Sequence, residues 1–143
     1  MPEAVVALTG ASGAKYCVRL LDALVEHGWT VNLIVTSSGA INLDLECGIT
    51  PEDLASKGGV TLEDNSNLAA KSASGSARFD AYVVCPASGT TIGKIASGIS
   101  DNLATRSALV AMKERRKLIL VPREAPFSTP HLKAMANLSE WGV

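Results

Sequence analysis

Ala4-Val5-Val6-Ala7-Leu8-Thr9-Gly10-Ala11-Ser12-Gly13-Ala14 is an unbroken apolar run followed by a turn of small residues. The stretch after it, Ala14 to His27, sets Cys17, Leu20, Leu21, Leu24 and Val25 on one helical face. This reads as strand, tight loop, helix. Gly28 closes the helix, Thr30 to Val35 forms a second apolar strand, and Thr36-Ser37-Ser38-Gly39 turns the chain into a further helix. The β-α-β rhythm continues along the chain. Thr50 and Pro51 mark a short helix as N-cap and first helical residue, and that helix ends before Gly58-Gly59. Residues 65–78, rich in Ser, Ala and Asn, read as a connection. Ala81 to Cys85 is a strand stopped by Pro86, and a helix begins in Ser88-Gly89-Thr90-Thr91. Leu103 to Arg116 is helical, Lys117 to Val121 is a strand, and Pro130 to Trp141 is a last helix ending at Gly142.

Strands alternating with helices predict an α/β protein with a doubly wound parallel sheet in three layers. A chain of 143 residues is expected to form one domain, 1–143, around about four to six strands. A crossover helix ending at Gly142 should lead into another strand, but Val143 follows. Two readings stand: the sequence is a truncated product whose sheet lacks its last strand, or the helix covers the sheet and the domain ends there.

Composition excludes several classes of function. Hydrophobic residues make up 47% of the chain and aromatic ones only 4%, which suits buried parallel strands under helices. A net charge of -1 provides no general field for a nucleic acid, so any anion site must be local. No apolar run approaches the ~20 residues of a membrane span. Met1-Pro2-Glu3 lacks the basic start of a signal peptide, so a cytoplasmic protein is expected. Cys17, Cys47 and Cys85 are odd in number and widely spaced in apolar surroundings, which argues for buried thiols and against disulfides or a metal site.

In a parallel sheet, ligands bind beyond the carboxyl ends of the strands. The loop Gly10-Ala11-Ser12-Gly13 opens a helix there and has the form of a phosphate cradle, though a plain βα turn has the same form. It is neither a Walker loop nor a GxGxxG fingerprint, so a mononucleotide suits it better than NAD or ATP. Thr36-Ser37-Ser38 and Ser88-Gly89-Thr90-Thr91 add hydroxyls and backbone donors at the same edge, where N-capping is the competing explanation. The strongest local signal is Lys113-Glu114-Arg115-Arg116-Lys117, followed by Val121-Pro122-Arg123-Glu124-Ala125-Pro126. Arg115, Arg116 and Lys117 suit a helix C-terminus electrostatically. Arg123 and Glu124 directly follow a strand between prolines, and a guanidinium fork there suits a phosphate. Arg106 and Lys113 share a helical face. Glu46, in Asp44-Leu45-Glu46-Cys47, reads by itself as solvated surface, and His27 and His131 read as capping or surface residues.

GASGA at 10–14, Ser74-Gly75-Ser76, Asp101-Asn102-Leu103 with Arg106, and KERRKLILVPREAPFS at 113–128 together resemble the UbiX-type flavin prenyltransferases, formerly called aromatic acid decarboxylase subunits. The resemblance spans about Ala4 to Val143. It implies a flavodoxin-like Rossmann-type fold, FMN bound between subunits of a homo-oligomer (a dodecamer), and dimethylallyl phosphate as prenyl donor. The product it implies is FMN prenylated at N5 and C6, passed to a UbiD-type decarboxylase. By the same resemblance Ser12 lies beside the flavin, Gly10, Ala11, Gly13, Thr36, Ser88 and Thr91 hold FMN, and Arg106 lies near its phosphate side or a neighbouring subunit. Glu46 then assists proton movement, while Lys113, Arg123 and Glu124 grip the donor phosphate.

The family pattern continues past the point matching Val143 with a last strand, a Tyr and an Arg of the donor site, and a terminal helix. An FMN-binding or assembly subunit with an incomplete donor site is therefore the alternative to a prenyltransferase. Cys85-Pro86-Ala87-Ser88 also replaces a frequent Cys-Pro-Cys-Ser. The related branch that decarboxylates peptidyl cysteine is set aside, because its catalytic His and its Pro-x-Met-Asn-x-x-Met-Trp run are missing at the matching places.

Overall fold

The computed structural model describes all residues 1–143. Its elements, in chain order, are β1 (Glu3–Leu8), α1 (Ala14–Glu26), β2 (Thr30–Val35), α2 (Ser37–Cys47), α3 (Pro51–Ala55) and β3 (Val60–Glu63). A 3-10 turn at Lys71–Ala73 precedes β4 (Ala81–Ala87), α4 (Gly89–Ala96), α5 (Leu103–Lys113), β5 (Leu118–Pro122) and α6 (Thr129–Glu140). The sheet is parallel throughout, in the order β3-β2-β1-β4-β5.

β1 shows why the sheet is covered on both faces. Alternate side chains of a strand point to opposite sides. Val5 and Ala7 join one core with Ile92, Ile95, Leu103 and Leu138 from α4, α5 and α6. Ala4, Val6 and Leu8 join the other with Cys17, Leu21, Leu43 and Leu54 from α1, α2 and α3. The result is three layers, helices over sheet over helices. The order reverses between β1 and β4, and that switch point places the loops after these two strands on either side of one crevice.

Three elements differ from the sequence reading. β3 was not expected: it is a four-residue edge strand whose Val60 alone is buried, so it carries almost no apolar signal. Its partner β2 fixes it, with Val31 opposite Val60 and Ile34 opposite Glu63. Pro86 does not stop β4. The strand runs on to Ala87, with a cis Cys85–Pro86 bond and a register irregularity between Val84 and Ala87 where proline has no N–H to give the ladder. α5 ends at Lys113 rather than Arg116, because Arg115 turns left-handed (φ 57°) and the Arg116 N–H bonds back to the Ala111 carbonyl at 2.8 Å, in the manner of a Schellman cap.

At the far edge β5 pairs with β4 alone, and Ile119 and Val121 are exposed on it. On α2, Leu43 is buried while Ile41 and Leu45 face outward, so that helix is apolar on more than one side. No helix is long and apolar enough to cross a membrane.

Candidate functional site

The parallel sheet brings the loops after β1, β2 and β4 to one edge, where they enclose a wholly polar cleft of about 310 Å³. Gly10 forms part of its wall, Thr36, Ser37 and Ser38 come from the start of α2, and Ser88, Thr90 and Thr91 from the start of α4. Lys94, Asn102 and, from the loop after β3, Asn65 complete it. The close approach of the β1–α1 loop to α2 depends on Gly10, since a Cβ there would lie 2.5 Å from the Ser38 Cβ.

The hydroxyls at this edge are tied into the fold. Thr36 Oγ1 accepts from the Gly39 N–H at 3.0 Å and caps α2. Ser88 Oγ accepts from the Thr91 N–H at 3.1 Å and shares a hydrogen with Thr91 Oγ1 at 2.8 Å. Thr9 links the two central strands: its hydroxyl donates to the Pro86 carbonyl at 2.6 Å and accepts from the Ser88 N–H at 2.8 Å. N-capping therefore accounts for Thr36 and Ser88. Capping also fixes the first turns of two helices side by side, and the leading N–H groups of a helix have no partner within it. Two positive helix ends, several hydroxyls and the Lys94 ammonium suit an anion such as a phosphate. Lys94 is paired with Asp101 at 3.0 Å, which holds its side chain along the cleft.

A second cavity of about 380 Å³ lies on the other side of the β1–α1 loop, lined by Ser12, Gly13, Lys15, Tyr16, Glu46 and Arg123. Glu46 Oε1 accepts from the Gly13 N–H at 3.0 Å and the Ala14 N–H at 3.1 Å. One turn earlier on α2, Asn42 donates to the carbonyls of Gly10 (2.9 Å) and Ala11 (3.2 Å). Asn42 and Glu46 thus clamp the loop from α2. This corrects two expectations drawn from the residues alone: Glu46 is not a solvated surface residue, and its carboxylate already occupies the N-terminus of α1, which leaves the starts of α2 and α4 as the helix N-termini that line the polar cleft.

Of the residues singled out in the sequence, Gly10, Thr36, Ser88 and Thr91 meet in the polar cleft, and Ser12, Gly13, Glu46 and Arg123 meet in the second cavity. Ala11 is buried in the loop between them. Arg106, exposed on the second turn of α5, and Glu124, exposed after β5, line neither cavity.

Lys113 departs furthest from expectation. It ends α5 beside Glu114 (3.4 Å), near Gly75, at the edge where β4 and β5 begin. β5 separates it from Arg123, and five residues at about 3.3 Å each keep the two cations at opposite edges of one chain. Its neighbour Arg116 does not stand free at a helix end either. The guanidinium folds inward, donating to the Gly75 carbonyl (2.6 Å), to Tyr82 Oη (3.0 Å) and to the Ala77 carbonyl.

Lys15, Tyr16, Asn42 and Lys94 were missed in the sequence. Lys15 and Tyr16 follow the glycine loop directly, and Lys94 stands one helical turn after Thr91, so proximity to a recognised motif was the available signal. None of the three cysteines lines either cavity. Burial, and after it the nearby Cys85 and Cys47, pushes the Cys17 thiol far up, and burial also raises Cys85.

This geometry has close relatives. Flavin prenyltransferase UbiX of Thermoplasma acidophilum is 45% identical over 97% of this chain and 76% of its own length. The crystal structure of a dodecameric FMN-dependent UbiX-like decarboxylase from Escherichia coli O157:H7 is similar at a TM-score of 0.94, with 39% identity over 99% of this chain and 76% of that one. A crystal structure of AnUbiX (PadA1) in complex with FMN and dimethylallyl pyrophosphate is equally similar, at a TM-score of 0.94 and 34% identity, covering 99% of this chain and 74% of that one. The family model described as Flavoprotein matches residues 2–142, and the chain belongs to that family.

Proposed function

We propose that this chain is a flavin prenyltransferase, joining a dimethylallyl group from dimethylallyl phosphate to reduced FMN. The observation that carries the reading is the pair of cavities on either side of one loop: a polar cleft at two helix N-termini, and a neighbouring cavity with a hydroxyl, a carboxylate and an arginine. The polar cleft fits the FMN phosphate through the first turns of α2 and α4, with Thr36, Ser88, Thr91 and Lys94 around it. Gly10 to Gly13 span the distance to the second cavity. The three steps from Gly10 to Gly13 reach at most about 10 Å.

Reduced FMN, when bound, supplies the nucleophilic N5 and C6. The chain's own residues position and stabilise. Ser12 and Glu46 lie where the ring edge belongs, and Glu46 Oε2, held less closely than Oε1 (3.4 Å to the Gly13 N–H), keeps capacity to accept a proton there. Arg123 faces the same cavity and suits the donor phosphate. As the allylic C–O bond breaks and the phosphate departs, a fixed guanidinium stabilises the charge that develops on the leaving group. Glu124, next in sequence to Arg123, belongs to the donor-phosphate group of this reading. Positioning and charge stabilisation carry such a step without a metal.

Lys113 and Arg106 enter this reading only through a neighbouring subunit, since neither reaches the cavities of its own chain. The reading includes a homo-oligomer, a dodecamer by likeness to the E. coli protein, consistent with the exposed Ile41 and Leu45 of α2. It also includes a cytoplasmic site of action and delivery of the product to a UbiD-type decarboxylase.

The test is anaerobic incubation of the protein with reduced FMN and either dimethylallyl phosphate or the pyrophosphate. The flavin should gain the mass of one dimethylallyl group with the monophosphate. FMN that binds and returns unmodified with both donors would reduce the reading to a flavin-binding role.

A further inference from the structure

We infer that Tyr16 is the aromatic wall against which the ring system of FMN packs, an inference that rests on the flavin reading above. Tyr16 is 62% exposed although it stands in the first turn of α1, beside Ser12, Glu46 and Arg123. Its ring lies over the backbone of Gly13. A Cβ on Gly13 would come within 3.0 Å of Tyr16 Cδ2 and 3.4 Å of Cε2, and within 3.7 Å of Pro86 Cβ. Gly13, at φ +120°, leaves that space to the tyrosine, and the ring and the glycine both line the cavity, with buried Pro86 packed behind the glycine.

The other aromatic residues cannot take this part. Phe79 and Tyr82 are buried in the core, and Trp29 packs beneath α1 beside Val31 and Leu33. Trp141 caps the end of α6, and Phe127 is half-buried outside both cavities. Tyr16 is thus the one ring on the cavity that the β1–α1 loop joins to the phosphate cleft. A flat conjugated ligand whose phosphate occupies that cleft extends across Gly13 toward it. Offset stacking on a ring already held in place has a low ordering cost.

The test uses FMN with the wild-type protein, Tyr16→Phe and Tyr16→Leu, measuring affinity by equilibrium dialysis and emission of the bound flavin. A tyrosine in contact with an excited flavin quenches it by donating an electron, whereas phenylalanine has the same shape and does not donate. Tyr16→Phe should bind FMN as wild type does and leave it several-fold brighter, and Tyr16→Leu should bind about two- to twelvefold more weakly. A purely structural role would not brighten the flavin at unchanged affinity. If wild type retains FMN but both variants match it in affinity and emission, Tyr16 does not contact the ring. If wild type retains no FMN, the flavin reading itself falls and this inference with it.

Discussion

The Glu46 carboxylate sits on the Gly13 N–H at 3.0 Å, so a side chain of α2 serves as the anion at the N-terminus of α1. The contact fixes the loop that divides the two cavities, and stability and ligand placement are coupled through one residue.

Removing that carboxylate should therefore be felt in both. Glu46→Ala deletes two charge-assisted contacts at a half-buried helix end and should lower stability by about 1–2 kcal/mol, with Glu46→Gln, which keeps an acceptor oxygen, costing less than half of that. Urea unfolding at fixed protein concentration measures it. Equal stability of wild type and Glu46→Ala would show that the loop holds its shape without the clamp.

The buried thiols give stability a dependence on alkaline pH. Cys17 and Cys85 ionise less readily in the folded chain than in the unfolded one, whose thiols titrate near 9.0. Above that pH the unfolded state loses protons that the folded state keeps, so the stabilisation is complete below about pH 9 and declines as pH rises. For Cys17 the slope approaches about 1.4 kcal/mol per pH unit as the unfolded thiol becomes fully ionised. Cys17→Ala should flatten the decline between pH 9 and 10, whatever its effect at pH 7. An unchanged slope in that variant would mean that Cys17 does not contribute.

Arg116 joins the end of α5 to the loop before β4 through the Gly75 and Ala77 carbonyls and Tyr82 Oη. Arg116→Ala leaves those acceptors half-buried without a donor and should cost about 2–3 kcal/mol in urea unfolding. Arg116→Lys should recover less than half, since an ammonium cannot reproduce the fork. Full recovery by lysine would mean that charge alone, not geometry, is required.

How far the sequence disclosed these features follows from the range of the interactions involved. β1 and β4 are legible because they are buried along most of their length and apolar apart from Glu3, β2 and β5 because Val, Leu and Ile dominate them even though Asn32 interrupts one and Ile119 and Val121 are exposed on the other, and Thr50-Pro51 is legible because a capping box is local, with Thr50 and Asp53 bonded reciprocally. β3 is not, since a four-residue edge strand takes its structure from β2. The polar turns were readable as candidates for the same local reason. Glu46 and Arg116 were misread from the residues alone because their partners are 33 and up to 41 positions away, and neither composition nor periodicity records such pairings. Lys113 and Arg123 stand in one conspicuous segment, yet a strand carries them to opposite edges of the fold.

That separation supplies the sharpest test of the assembled site. Arg123 faces the second cavity of its own chain, whereas Lys113 lies one strand length away at the other edge, so a site using both takes them from different copies. Arg123→Ala removes a charge-assisted phosphate contact worth about 1.5–3 kcal/mol, and should reduce use of dimethylallyl phosphate roughly ten- to a hundredfold while FMN affinity stays near wild type. Lys113→Ala should do the same. When the two variants are unfolded together and reassembled in equal amounts, roughly a quarter of the sites pair an intact Arg123 with an intact Lys113 and should regain wild-type turnover. Flavin titration checks that the sites are loaded, and product mass reads the turnover. A mixed assembly no more active than its parents would show that Lys113 serves no neighbouring site, and loss of FMN binding in Arg123→Ala would move Arg123 from the donor to the flavin.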